Sequence, residues 1–149
     1  MTVTIATGVI INAPREEVFR LASNFDRQAA WMENVLSFRR PEDEVLRVGS
    51  RLQVTTQLGP WKSSFPLEIT DWQEGSLLKV VHRNGFWGEG VFSFSDYGLG
   101  KTLMLWNEKV RVSLTRGGPL AEAAAKVALT IIMRRDLANL KYLVENQRN

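Results

Sequence analysis

The pattern of apolar and polar residues divides the chain into a first strand, two short helices, a run of strands and a final helix. Residues 2–11 are dominated by Val, Ile and Thr, which is typical of a β-strand. Pro14 opens a segment with apolar residues at helical spacing, and proline is well tolerated in the first turn of a helix. A second short helix is predicted over residues 26–32, with Asp26 as its N-cap.

Strands and turns follow as far as residue 112. Apolar and β-branched residues form about six strand-like stretches, which are separated by pairs that favour turns. Among these pairs are Gly59-Pro60, Glu74-Gly75 and Asn84-Gly85. Asn84-Gly85 is the strongest hairpin signal, because Asn-Gly suits the tight turn that joins two antiparallel strands. The pattern therefore predicts an antiparallel sheet.

A single long helix is predicted from Leu120 to about Glu145. Apolar residues repeat there at spacings of three and four, namely Leu129, Met133, Leu137, Leu140 and Val144. The first half, Ala121 to Met133, is apolar nearly all round, and such a helix is buried, or faces a cavity or a partner.

Segregation of the strands from the helices predicts the α+β class, with a sheet of about seven strands curled around the last helix. The 149 residues are most simply one domain, residues 1–149, because no linker, repeat or low-complexity segment interrupts them.

The amino-acid composition argues against several kinds of site and partner. The chain has no cysteine and one histidine, which argues against disulfides, a thiolate site and a zinc or iron site, so no metal or cofactor is expected. The net charge is only +3 and the basic residues are scattered, so nucleic acid is not an expected partner.

The chain shows no sign of export or of stable membrane insertion. Its start has no basic region followed by a long apolar core, so no signal peptide is expected. The longest apolar-rich stretch, residues 120–133, contains two charged residues and is too short to span a bilayer. We therefore expect a cytoplasmic protein.

The single histidine lies beside the predicted hairpin. A two-residue turn at Asn84-Gly85 sets His82 opposite Trp87 and places Val80 and Glu89 on the same face. Basic residues on the other face favour an inward orientation of this set. Phenylalanines on that other face favour the reverse, and glycines in the second strand could host a bulge that switches faces.

If the histidine faces inward, His82 and Glu89 are candidates for an acid/base pair, because a buried glutamate beside an imidazole perturbs both titrations. The alternatives are a polar contact that orients a ligand, or a hairpin end partly in water. Trp106 and Glu108 share a face of the last strand, so Glu108 is a candidate cavity carboxylate. Its more ordinary alternative is a surface glutamate paired with a basic neighbour.

Several stretches together resemble the START/Bet v 1-like superfamily, in particular its polyketide cyclase/dehydrase-like branch. They are residues 10–32 (IINAPREEVFRLASNFDRQAAWM), 48–54 (VGSRLQV), 65–75 (FPLEITDWQEG) and the Gly-Lys-Thr turn at 100–102. The resemblance covers essentially the whole chain. It implies a helix-grip fold, in which a curved antiparallel sheet and the C-terminal helix enclose a cavity for a hydrophobic molecule.

The resemblance also suggests which further residues line that cavity. The small and apolar residues of the last helix, Ala124, Ala128 and Ile131, would leave space for a ligand. Trp31 is a candidate cavity or gate residue, with ordinary core packing as its alternative.

The expected function is binding of a lipid, polyketide or similar apolar compound. A cyclase/dehydratase and a lipid- or protein-interaction module are the alternatives, and the protein is expected to be a monomer or homodimer.

Overall fold

The computed structural model describes residues 2–40, 44–83, 87–111 and 118–147. The helices are α1 (Arg15–Ala22), a 3₁₀ helix (Phe25–Ala30) and α2 (Gly118–Asn146). The strands are β1 (Thr2–Ile11), β2 (Val35–Arg39), β3 (Arg51–Leu58), β4 (Trp61–Gln73), β5 (Leu77–His82), β6 (Gly88–Asp96) and β7 (Thr102–Arg111). The predicted turn at residues 84 and 85 lies outside the described residues.

All seven strands form one antiparallel sheet in the order β1-β7-β6-β5-β4-β3-β2. Strands β2 to β7 pair in chain order, as hairpin connections require, and β1 joins the far edge by pairing with β7. The curved sheet holds the long helix α2, so the predicted helix-grip fold and α+β class are confirmed.

The C-terminal half of α2 is fixed to the sheet by packing and by polar contacts. Met133, Leu137, Leu140 and Val144 are buried, at the helical spacing that the sequence predicted. Glu145 Oε1 accepts hydrogen bonds from the Asn12 backbone N–H (2.9 Å) and from Lys141 Nζ (2.7 Å), and Lys141 Nζ also donates to the Ile10 carbonyl. The Lys141 bond is the main cause of a lowered pKa at Glu145.

The N-terminal half of α2 is not buried all round, so the first of the three predicted alternatives is wrong, and its outer face is exposed within this chain. Leu120, Val127 and Ile131 are 84, 60 and 48% exposed. A helix presents only one face to the sheet, and the side chains on the opposite face remain in solvent whatever their polarity. Within the described residues, no helix is long and apolar enough to cross a membrane.

The second short helix also begins differently from the prediction. It starts at Phe25, and its N-cap is Asn24, which makes no side-chain capping bond. Asp26 lies one residue inside the helix and forms an ion pair with Arg40 at 2.8 Å. This contact connects the helix to the end of β2.

Candidate functional site

A cavity of about 470 Å³ lies between the sheet and α2. Its walls are mainly apolar and come from every strand, the 3₁₀ helix and one face of α2. Leu58 and Trp61, at the β3–β4 turn, line the cavity and are 57 and 75% exposed, so the opening lies at this hairpin.

The side chains of β6 face the opposite way from the prediction. β5 and β6 pair with His82 opposite Gly88 and Val81 opposite Glu89, whereas the predicted turn set His82 opposite Trp87. A register shift of one residue moves every side chain of a strand to the other face of the sheet. The cavity face of β6 therefore carries Gly88, with Gly90, Phe92 and Phe94 following at every second residue.

Glu89 and Trp87 are consequently not brought to the cavity. Glu89 lies on the outer face, where its carboxylate forms an ion pair with Lys79 at 3.1 Å. Trp87 packs under the guanidinium of Arg111, which lies 5.6 Å from the ring centroid. The predicted pairing of His82 with Glu89 is therefore wrong, because their strands place them on opposite faces.

His82 instead meets Glu108, which reaches it from β7. His82 Nε2 lies 3.4 Å from Glu108 Oε1, and Trp106 Nε1–H donates to Glu108 Oε2 at 3.0 Å. The Phe65 ring lies 5.2 Å from the imidazole, measured between ring centroids. His82, Glu108, Trp106 and Phe65 all line the cavity, as does Val80. Glu108 is thus a cavity residue rather than the surface glutamate of the alternative interpretation.

Two glycines make this contact possible. β6 runs between β5 and β7, so a side chain at position 88 or 90, on its cavity face, would stand between His82 and Glu108. A Cβ atom at Gly88 would overlap the imidazole of His82, and one at Gly90 would fall 2.7 Å from Glu108 Oε2. The two side chains occupy the space that glycine leaves open.

Asp136 on α2 is a second carboxyl group in the cavity wall. It is 4% exposed, and its Oδ1 accepts a hydrogen bond of 3.1 Å from the Glu33 backbone N–H. Burial raises the pKa of Asp136 to about 6, against the lowering effect of that hydrogen bond. Charged groups are disfavoured where water is excluded, which explains the direction of the shift.

Sequence reasoning missed Asp136, although a signal was present. Asp136 follows Met133 by three residues and precedes Leu140 by four, so it occupies the apolar seam of α2. A lone carboxylate in such a seam is rare enough to mark a candidate site.

The other predicted residues of α2 face away from the cavity. Ala124, Ala128 and Ile131 are exposed, whereas Leu129 and Ile132 line the cavity. The predicted residues lie at 124–131 and the cavity-lining residues of α2 at 129–136, so the prediction chose the wrong face of the helix and a stretch that begins too early.

Trp31 is fully buried rather than at the opening. Its ring packs against Phe92 and Trp106, with centroids 6.0 and 6.4 Å away, and Asn139 donates to its carbonyl. Phe92 and Trp106 line the cavity, so Trp31 supports the wall from behind.

Within the described residues, no group of three or more His, Asp or Glu side chains is arranged to hold a metal ion. The arrangement does provide a His–Glu pair and a second carboxyl group in a largely apolar enclosure. These groups are able to bind a polar substituent of a ligand or to transfer a proton.

Comparison with known proteins gives a family and several structural relatives. Residues 2–145 match the family described as polyketide cyclase/dehydrase and lipid transport. No curated protein sequence matches the chain significantly.

Three solved structures illustrate the structural similarity. The protein TTHA0849 from Thermus thermophilus has a TM-score of 0.84 at 17% identity, over 99% of this chain and 100% of that one. A START superfamily protein from Mycobacterium smegmatis has a TM-score of 0.76 at 19% identity, over 97 and 98%. The Zhui aromatase/cyclase from Streptomyces sp. R1128 has a TM-score of 0.78 at 11% identity, over 100 and 97%. At these identities the similarity shows the fold alone.

Proposed function

The chain belongs to the polyketide cyclase/dehydrase and lipid transport family, and on that premise we propose that it binds a hydrophobic small molecule in the cavity between the sheet and α2. The observation that carries the proposal is the cavity itself, which combines about 470 Å³ of space with mainly apolar walls and a few inward-facing polar groups. Sites for small molecules typically have this composition and a volume of roughly 300–1,000 Å³.

Affinity would come mainly from removal of apolar surface from water. A two-ring aromatic ligand that buries about 200 Å² gains roughly 5 kcal/mol at about 25 cal/mol per Å², before the cost of ordering is subtracted. His82, Glu108 and Asp136 would then fix the orientation of the ligand through hydrogen bonds.

Ligand entry would involve the β3–β4 turn and the N-terminal half of α2. Leu58 and Trp61 are exposed at the opening. The hydrogen bonds that fix α2 to the end of β1, made by Lys141 and Glu145, lie at the C-terminal end of the helix. Separation of this turn from the first half of α2 would widen the opening without breaking those hydrogen bonds.

The proposal is tested by native mass spectrometry of the purified protein, compared with its denatured mass. An additional mass that is released on denaturation supports an occupied cavity and identifies the ligand. If the protein carries no ligand, it is incubated with 2-naphthalenemethanol, and a one-to-one complex is expected. Absence of both a native ligand and such a complex contradicts the proposal.

The contact between His82 and Glu108 favours a second candidate function, a cyclase or dehydratase. An imidazole beside a carboxylate in a partly desolvated site is suited to remove a proton from carbon next to a ketone and to protonate a departing hydroxyl group. The cavity would hold the substrate chain folded, so that the reacting atoms lie close together.

Substitution of His82 distinguishes this candidate function from simple ligand binding. With a synthetic linear poly-β-keto thioester as substrate, His82→Gln is expected to lower turnover at least about 100-fold, the usual size of a general acid/base contribution, while binding changes little. Glu108→Gln should lower turnover in the same assay. Unchanged turnover in His82→Gln, with binding intact, would exclude the acid/base role.

A further inference from the structure

The charged groups that line the cavity are unbalanced. Glu108 and Asp136 are acidic, and His82 is the only basic side chain among the described residues that line the cavity. The whole chain, by contrast, has 19 Lys and Arg residues and a net charge of +3. The interior of the cavity thus has the opposite sign of charge from the protein as a whole.

Two basic side chains, Lys79 on β5 and Arg83 directly after it, are held away from the cavity by ion pairs. Lys79 pairs with Glu89 on the outer face of the sheet, and Arg83 pairs with Glu68 at 3.2 Å. Asp136 accepts a backbone N–H, and no ion pair joins it to a cation in the part of the chain that the structure describes. Even a protonated His82 would therefore balance only one of the two carboxylates.

We propose that the cavity selects hydrophobic ligands by the charge of their polar group, binding amines most tightly, alcohols next and carboxylates least. This inference rests on the proposed binding function and specifies the class of ligand. It predicts that free fatty acids and other anionic amphiphiles are poor ligands.

The physical reason is that the charge of the ligand would lie beside the carboxylates of Glu108 and Asp136 in a partly desolvated site. A ligand carboxylate would lose its hydration and lie near carboxylates of the same sign, which is unfavourable in a medium of low dielectric constant. A protonated amine would donate charge-assisted hydrogen bonds to Glu108 or Asp136, and the faces of the neighbouring aromatic rings would attract it further. A neutral hydroxyl group donates an ordinary hydrogen bond. It therefore has neither the charge repulsion of the carboxylate nor the charge-assisted attraction of the amine.

Three probes with the same carbon skeleton provide the test. These are 2-naphthalenemethylamine, 2-naphthalenemethanol and 2-naphthoate, titrated into the protein by calorimetry at about pH 7.5, where the amine is protonated and the carboxylate ionised. The alcohol is expected to bind at least about tenfold more tightly than the carboxylate, as like-charge repulsion in a partly desolvated site implies, and the amine more tightly still.

Glu108→Gln and Glu89→Gln form a matched pair of variants. Each removes one negative charge, but only Glu108 lines the cavity, whereas Glu89 lies on the outer face. The ratio of amine to carboxylate affinity should fall at least about fivefold in Glu108→Gln and stay within about twofold of the parent value in Glu89→Gln.

The outcomes separate this inference from the proposed function. If all three probes bind and the carboxylate is as tight as the alcohol, the charge selection is wrong while hydrophobic binding stands. An equal change of the ratio in both variants also overturns it, because the effect would then follow net charge rather than the cavity. If no probe binds, the proposed function fails and the selection fails with it.

Discussion

At the scale of single residues, the site depends on what is absent from β6. Gly88 and Gly90 have no side chains, so a histidine from β5 and a glutamate from β7 meet across the strand that separates them. Glycine in a strand interior is unfavourable, and it often marks a close approach of other groups. Here the approaching groups are the polar side chains of the cavity.

Gly90→Ala tests this arrangement. The new Cβ would lie 2.7 Å from Glu108 Oε2 but at an ordinary 3.5 Å from Val80 Cγ2, so the carboxylate must move and the fold need not. We expect displaced NMR signals of His82, which are unambiguous because the chain has one histidine. Binding of 2-naphthalenemethylamine should weaken about fivefold, the loss of one hydrogen bond.

Gly8→Ala is the matched control, because its Cβ also meets a side chain closely, Leu105 at 2.9 Å, but on β1 and away from His82. His82 signals that stay unchanged in Gly90→Ala, or change equally in both variants, would contradict the role of the open space.

At the scale of elements, α2 presents different faces to the cavity and to solvent. Ile132 lines the cavity, whereas its neighbour Ile131 is 48% exposed. Residues at successive positions of a helix point about 100° apart, so two adjacent isoleucines have different environments.

Ile132→Ala and Ile131→Ala test this helical phase with one type of substitution. Ile132→Ala should weaken binding of 2-naphthalenemethanol about three- to tenfold, because apolar contact with the ligand is removed. Ile131→Ala should change it less than about twofold. Calorimetric titration measures both, and the opposite ranking would show that α2 presents its other face to the ligand.

Asp136→Asn tests the buried carboxyl group on the same helix. The pKa of Asp136 is raised from 3.8 to about 6, so the folded protein holds this proton more tightly than the unfolded chain. The contribution of Asp136 to stability is then greatest below about pH 4 and is lost as the pH rises through about 6. The full difference corresponds to about 3 kcal/mol.

We therefore expect Asp136→Asn to raise the free energy of unfolding by about 1–3 kcal/mol at pH 7.5 and to leave it nearly unchanged at pH 4. Urea unfolding at the two pH values measures the difference, with Asp71→Asn on β4 as a control that should show little change at either. A loss of stability at pH 7.5 would mean that the hydrogen bond from Glu33 outweighs the effect of burial.

The order of the helices and strands was predictable from the sequence. Which face of each element points to the cavity was only partly predictable. Turn residues and apolar periodicity indicated the order of strands and helices, because these signals are local. The orientation of β6 depends on the length of the connection after His82, and a shift of one residue exchanged Glu89 for Gly88 and Gly90. Glu108 was predicted as a cavity carboxylate from the face that it shares with Trp106, but its contact with His82 was not, because that contact joins β5 to β7 across β6 and no local pattern encodes it.

At the scale of the whole molecule, the sheet and α2 enclose a space instead of packing tightly along their full length. The end of α2 packs on the sheet through Leu137, Leu140 and Val144, while its middle, from Leu129 to Asp136, lies over the cavity. Protein interiors are normally filled to high density, so an apolar cavity of about 470 Å³ indicates room for a ligand. Binding of a ligand to the folded state should also stabilise the protein.

The most direct test of the account is an NMR titration of methyl-labelled protein with 2-naphthalenemethanol. If the ligand occupies the cavity, saturable shifts are expected at the methyl groups of Val80, Ile132 and Met133, which line it, while those of Val127 and Ile131 on the exposed face stay in place. Shifts confined to the exposed methyl groups, or no saturable shift at the cavity, would contradict a ligand-binding cavity between the sheet and α2.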